Sequence, residues 1–489
     1  MSSPITVGID LGTTNSAIAY HDGVTPRIID VTTGGALLPS AVTIVGRDVY
    51  IGRPALDEGR RNPEFAFRGF KSLMGRRWSD AENAGWQTVE AEDGSIALRG
   101  PDHNYTPQEL SAAVIQRLLD AAQDRLGARP TRAVITVPHD FGDRARRATE
   151  EAGRLAGLEG VFILSEPTAA AIAYGASGSD KYKMMAVYDW GGGTFDLTVV
   201  QAGGVAGGKL IEVKGNSGNR DLGGEDIDRV LADFVVQQFL SETGIDLGTR
   251  ETTMARILDE AERVKIALSD QERVRFEVPR VDAVDGQKHI QMDITRERLE
   301  SLSKDLIDST FRITARALEA AGLKRADIDS VLLVGGQTAM PMVRERAAQF
   351  FGKRPRAEIN PYEVVAMGAA TQGAIFDNRL AIKVSDVLSH SIRVETRDRQ
   401  LATVVPKGTR LPVEKTVVLT TLSDDQPRLS VNLHEGDEMA IDDNERLLSS
   451  FVEHGEAAPA GAPSRNLTVR VDVGNLVTAS VDGVDMKRG

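Results

Sequence analysis

Val7-Gly8-Ile9-Asp10-Leu11-Gly12-Thr13-Thr14-Asn15-Ser16 is an apolar strand that ends on an aspartate, turns through glycine and threonine, and resumes as strand. Val187-Tyr188-Asp189-Trp190-Gly191-Gly192-Gly193-Thr194-Phe195-Asp196 repeats that order later in the chain. Two such turns facing one another form a clamp. Glycines let backbone N–H groups approach an anion because no Cβ intervenes, and Thr13, Thr14 and Thr194 add hydroxyl donors. Magnesium keeps several waters and takes one or two carboxylates plus substrate phosphates, so Asp10, Asp189 and Asp196 at strand ends suit a hydrated, phosphate-bound cation. With Gly335-Gly336 after a third apolar strand, the pattern points to a polyphosphate nucleotide and magnesium.

Outward from these turns, β-branched apolar runs alternate with amphipathic helical segments as far as about residue 376, the rhythm of an α/β protein. Ala133-Val134-Ile135-Thr136-Val137 reads as a buried strand stopped by Pro138. Glu109 to Leu126, Asp143 to Ala156 and Leu299 to Ala321 read as helices, and Val331 to Val334 as a strand. Pro341 stands where the next helix should begin. From about Ser391 the period changes to two: Leu429, Val431 and Leu433 alternate with Ser430, Asn432 and His434, and Leu467, Val469, Val471 and Val473 with Thr468, Arg470 and Asp472. Residues 455–465, rich in Gly, Ala and Pro, read as a loop, and no helix is expected after Arg379.

At 489 residues the chain exceeds a single core; a prior of ~150 residues per domain suggests about three. The net charge of −13 offers no basic surplus for nucleic acid or a membrane surface. With no cysteine, disulfides, thiolate metal sites and cysteine nucleophiles are excluded. The seven histidines show no metal-ligand spacing. Met1-Ser2-Ser3-Pro4 leads into a strand without a signal-like stretch, and no apolar run approaches the ~18 residues that span a bilayer. A cytoplasmic location is expected. Gly203 to Lys209 imitates the opening of a P-loop, but Leu210 replaces the Ser or Thr and strand follows where a helix is required, so a hairpin turn is expected.

These segments resemble the seventy-kilodalton heat-shock chaperone family, whose ATPase domain belongs to the actin-like superfamily. The likeness extends to Val134-Ile135-Thr136-Val137-Pro138 with Asp143 and Arg146, to Glu166-Pro167-Thr168-Ala169-Ala170-Ala171, to Leu222-Gly223-Gly224-Glu225-Asp226 and to Val334-Gly335-Gly336-Gln337-Thr338. It implies a two-lobed α/β ATPase domain over 1–380 (lobes of about 1–185 and 186–380), a linker at 381–390 and a small antiparallel β-sandwich at 391–489. It further implies ATP or ADP with Mg2+ as ligands and slow hydrolysis to ADP and phosphate. Lys71 would place and polarise the attacking water with help from Glu166, and Thr194 would join Asp10, Asp189 and Asp196 in the catalytic set. Gly12, Thr13, Thr14, Asn15, Gly191, Gly192, Gly193, Glu225, Gly335 and Gly336 would cradle the nucleotide. Glu262, Lys265 and Ser269 would contact the adenosine, and Pro138 with Arg146 would couple nucleotide state to the β domain. Implied partners are unfolded or extended polypeptides, a J-domain co-chaperone and a nucleotide-exchange factor, with neither nucleic acid nor membrane.

The chain departs from that family pattern in four places. Ala339 occupies the position of an arginine that stacks on the base, which costs about 0.5–2 kcal/mol, and Tyr362 follows Pro361 where an aspartate is usual. Nucleotide should therefore bind more weakly than in typical relatives, with the Tyr362 ring in partial compensation. The linker Ile382-Lys383-Val384-Ser385-Asp386-Val387 is half polar, so docking by apolar burial should be weakened. Arg397 aligns with a methionine that arches over bound peptide. The sequence stops at Gly489, after the β region and without the family's helical lid, so peptide should exchange quickly. The leading expectation is a chaperone-like ATPase; a nucleotide-dependent module with one dedicated protein partner is the alternative, and a small-molecule kinase on the same fold is a more distant one.

Overall fold

The computed structural model describes residues 5–33, 35–80, 88–177, 183–205, 208–219, 221–248, 251–281, 288–356, 360–396, 399–453, 459–462 and 464–488. Two mixed sheets repeat one plan. In the first, Val7–Asp10 is central, parallel to Arg132–Val137 and antiparallel to Asn15–His21, and Gly160–Ser165 extends the parallel side. In the second, Lys183–Trp190 is an inner strand, parallel to Ser330–Val334 and antiparallel to Phe195–Val205. Asp10 and Asp189 thus end equivalent strands, each followed by a glycine-bearing turn into its antiparallel neighbour. These inner strands are buried on both faces, which is why they read as unbroken apolar runs.

The helices follow the periodicity. Pro107–Leu126 is closed by a capping box in which Thr106 and Glu109 satisfy each other's N–H groups. Asp143–Leu155 and Arg296–Ala320 begin and end within three residues of expectation, and Pro341–Phe351 begins at the expected proline. Glu166–Ser177 and Val364–Phe376 cross between the two sheets. A Cβ on Gly368 would lie 1.7 Å from the Ala169 carbonyl oxygen, so only glycine allows that approach. Small residues at the crossing let helices bearing both halves of the α/β region share one apolar cluster.

From Ile392 onward the described residues form two antiparallel sheets around one core. Leu401–Val405, Ile392–Glu395, Arg428–Glu435, Glu445–Glu453 and Lys487–Arg488 make one, and Val413–Thr420, Ser464–Val471, Val477–Val481 and Val484–Asp485 the other. Alternation holds for Leu429, Val431 and Leu433, but His434 is buried rather than facing solvent with Ser430. A register shift between Leu433 and His434, together with the α/β region lying against the strand end, accounts for the break. Val473 also departs: Ser464–Val471 ends before it, the chain turns over Asp472–Asn475, and its side chain is 53% exposed. Arg397 lies outside the described residues, as do 455–458 and 463 of the expected loop, whose last two residues, Ser464 and Arg465, instead begin strand Ser464–Val471. The hairpin expected near Gly203 is flanked by paired strands Phe195–Val205 and Gly208–Asn219, its tip at 206–207 also lying outside them.

The half-polar linker docks by a route its side-chain composition does not reveal. Ile382–Ser385 pairs in parallel with Gly208–Asn219 as the edge strand of the second sheet, through main-chain bonds indifferent to side-chain polarity. Asp386 then accepts from Ser165 and Thr168 at 2.9 Å each. No described helix is long and apolar enough to cross a membrane.

Candidate functional site

The two Asp-Gly-Thr turns meet across a cavity of about 640 Å³. A Cβ on Gly192, in the second turn, would lie 2.3 Å from Thr14 Oγ1, in the first. Asp10, Gly12, Thr13, Thr14, Asn15, Asp189, Gly191, Gly192, Gly193 and Thr194 all line this space. So do Lys71, Glu166, Pro138, Glu262, Lys265, Ser269, Gly335 and Gly336, from segments far apart in sequence.

At the inner end sit three carboxylates and one ammonium. Lys71 lies on the 3₁₀ turn Phe70–Leu73, is 2% exposed, and donates to Glu166 Oε1 at 2.5 Å. Glu166 opens helix Glu166–Ser177. Thr136 Oγ1 donates to Asp10 Oδ1 at 3.2 Å. Burial first, then the Glu166 charge, raises the Asp10 carboxyl to about 7, against the opposing pull of Lys71 and Thr136. Asp189 is pushed well above the usual carboxylate range by burial, Glu166 and Asp10, again opposed by Lys71. Such a surplus of buried negative charge favours a cation between the two lobes.

Among the described residues, no three His, Asp or Glu side chains converge to hold a metal ion by themselves. The two aspartates would leave most coordination positions to water and phosphate oxygen, and an all-oxygen donor set suits magnesium. The glycine turns complete the fit. Gly335 has φ +83, and a Cβ there would stand 2.4 Å from the Trp190 carbonyl oxygen.

The outer end is built by the second half. Lys265, on helix Glu251–Ala267, donates to Gly224 O at 2.9 Å and to Asp228 Oδ2 at 2.8 Å. Burial outweighs that pairing and raises Asp228 to about 7. Ser269 falls beyond the helix end, in a turn where its N–H reaches Ile266 O, yet still lines the cavity. Beside Ala339, Arg344 Nε donates to Thr338 O at 3.1 Å and the Tyr362 hydroxyl to Gly336 O at 3.4 Å, so both side chains hang on one turn at the cavity wall.

Two expected residues lie elsewhere. Asp196 sits opposite Asp189 in register and is buried, but it lines a separate cavity with Asn216, Gly218 and Lys407. The neighbouring strand explains this: a Cβ on Gly218 would stand 2.3 Å from Asp196 Oδ1, so the carboxylate occupies the space glycine leaves. Glu225 lines an adjoining cavity that shares Thr13, Thr14, Asn15 and Gly192 with the first. Thr136 and Asp228 were missed as site residues. The lone hydroxyl within Val134-Ile135-Thr136-Val137 was the available signal for the first; Asp228 offered none.

Pro138 and Arg146 mark a path from the cavity to the β region. Pro138 lines the cavity; Arg146, fully enclosed, donates to Phe141 O and His139 O within its own loop and helix start, and to Gly474 O and Ser389 Oγ beyond it.

Comparison with known proteins gives the family. The family model described as Hsp70 protein matches residues 6–488. The chaperone protein DnaK of Buchnera aphidicola subsp. Schizaphis graminum is 36% identical over 492 residues, covering 99% of this chain and 77% of the relative. That of Stenotrophomonas maltophilia is 37% identical over 485 residues, covering 97% and 76%. The chain belongs to the Hsp70 family.

Proposed function

We propose that this chain is an ATP-hydrolysing chaperone whose C-terminal β region binds unfolded or extended polypeptide under nucleotide control. Its architecture on this reading is a two-lobed actin-like ATPase domain over 1–380, a linker at 381–390 and a β-sandwich at 391–489. The observation that carries the reading is the single cavity in which two facing Asp-Gly-Thr turns enclose the Lys71–Glu166 pair. Relatives named as chaperones, aligned along nearly the whole chain, support the same conclusion.

The turns and Thr194 hold the polyphosphate of ATP through backbone and hydroxyl donors, while Glu262, Lys265 and Ser269 take the adenosine. Asp10 and Asp189 would hold hydrated magnesium, which when bound neutralises charge on the phosphates; Asp196 would act from behind Asp189. Lys71 orients a water for in-line attack on the γ-phosphorus, and its charge opposes the negative charge spread over the phosphoryl oxygens. Glu166 fixes the Lys71 ammonium at 2.5 Å, so positioning is established before substrate arrives. Movement of the loop from Pro138 to Arg146 transmits nucleotide state to Ser389 and Gly474. A J-domain co-chaperone and a nucleotide-exchange factor are the implied protein partners.

Fluorescence anisotropy with a labelled unfolded peptide tests the reading. Peptide should bind the full chain, with an affinity that changes when ATP is added. Absence of binding, or binding indifferent to ATP, would count for a module with one dedicated partner.

A further inference from the structure

The contact between the α/β and β regions contains a carboxylate that the proposed nucleotide chemistry does not use. Helix Asp143–Leu155 begins after Gly142, an N-cap with no side chain to satisfy its first N–H groups. The cap arrives from the other region: Glu435 Oε2 accepts from the Asp143 backbone N–H at 2.8 Å. A Cβ on Gly142 would stand 2.7 Å from that oxygen, so the glycine is what admits the carboxylate. Glu435 is 6% exposed and ends strand Arg428–Glu435, just past its register shift.

The groups around Glu435 are mainly acidic or already committed. From the helix, Asp143 faces it, with its own carboxylate bound to Arg147 and Arg488. Arg146 is also near, with its guanidinium donating to three carbonyls and to Ser389. From the adjacent strand comes Glu445, paired with Arg144 at 2.8 Å. His390 Nδ1 lies 3.9 Å from Glu435 Oε1. Among the described residues, the helix N-terminus is the direct partner of this carboxylate, and no arginine or lysine pairs with it.

We propose that Glu435 couples seating of the β region on helix Asp143–Leu155 to the uptake of one proton, so that the two regions separate more readily as pH rises. Burial above all, then Asp143 and Glu445, raise the seated carboxyl to about 8, although the Asp143 N–H and Arg146 oppose them. Once the regions part, water returns and the group falls back to about 4.3. A pKa raised in the seated state makes seating strongest below the free value and weakens it up to the seated one, here from about 4.3 to about 8. Burial drives His139 down to about 3, so it stays neutral through most of that window. His390 lies close enough to Glu435 to need its own control.

The chain has no cysteine, so Gln123→Cys with Ser423→Cys gives a uniquely labelled pair for energy transfer between the regions of the full chain. Without nucleotide, the seating constant should weaken about tenfold or more between pH 5.5 and 8.5. Glu435→Gln keeps a neutral oxygen for the Asp143 N–H and should remain seated with a flat profile. His390→Gln should keep the wild-type slope, and Gly142→Ala should lower seating at every pH by displacing the carboxylate. A flat wild-type profile, a slope that survives Glu435→Gln, or a slope abolished by His390→Gln would each overturn the proposal. Because no nucleotide is present, the outcome is separate from that of the ATPase reading.

Discussion

The two Asp-Gly-Thr turns share a backbone plan and differ in what has been brought to them. Around Asp10, in the first half, stand Thr136, Lys71 and Glu166: a hydroxyl, an ammonium and a carboxylate at the cavity floor. The second half sets Asp189 beside the same Lys71 and Glu166 and also builds the outer wall, where Lys265 holds Asp228 and where Arg344 and Tyr362 hang on the turn Gly336–Ala339. On the proposed reading, the repeated strands supply symmetric phosphate cradles, whereas segments outside the repeat separate the chemical end from the base end. Both halves line the cavity, so the site exists only where they meet.

That division can be tested by damaging each end in turn. The largest effect is expected at the floor: Lys71→Ala should slow single-turnover ATP hydrolysis by roughly 10²–10³, the scale for one preorganised electrostatic group, with nucleotide retained. A rate within two-fold of wild type would remove Lys71 from the chemistry. Next is Gly335→Ala, which forces a Cβ to 2.4 Å from a carbonyl oxygen at positive φ. It should cost about 1–3 kcal/mol in a urea titration, since backbone must shift and strain is added.

Smaller changes belong to the outer wall. Ala339→Arg should tighten adenine nucleotide binding by about three- to thirty-fold, and Tyr362→Ala should weaken it by a similar factor, while the rate at saturation stays near wild type. Equal loss of saturated rate would mean that the two ends are not separable. The smallest effect concerns Asp228, which burial raises to about 7. With its folded-state value raised, its contribution to stability is greatest at low pH and is lost as pH climbs through about 7. The urea midpoint of Asp228→Asn relative to wild type should accordingly rise from pH 5 to pH 8, and a constant difference would count against the shift.

The strand-Asp-turn motif, the helix ending at Leu126 and the helix at Asp143 could all be read locally. Each depends on neighbours a few residues apart, and local periodicity reports which face is apolar. Asp196 defeated that reading, because its side chain went to the space left by Gly218, across the sheet. The linker shows another limit: side-chain polarity speaks only to apolar burial, while strand pairing uses the main chain that every residue carries. His434 looked like a solvent-facing residue because alternation cannot register a second region closing over the strand end.

By itself, then, the sequence determined the α/β character of the first part, the paired Asp-Gly-Thr turns and membership of the family, because short-range pattern encodes them directly. Only the tertiary structure decided that Thr136 bonds Asp10, that Asp228 answers Lys265, and that a glutamate 292 residues away caps the helix at Asp143. Those contacts join groups whose separation along the chain carries no periodic signal, and burial, which sets their charge, is a property of the assembled molecule alone.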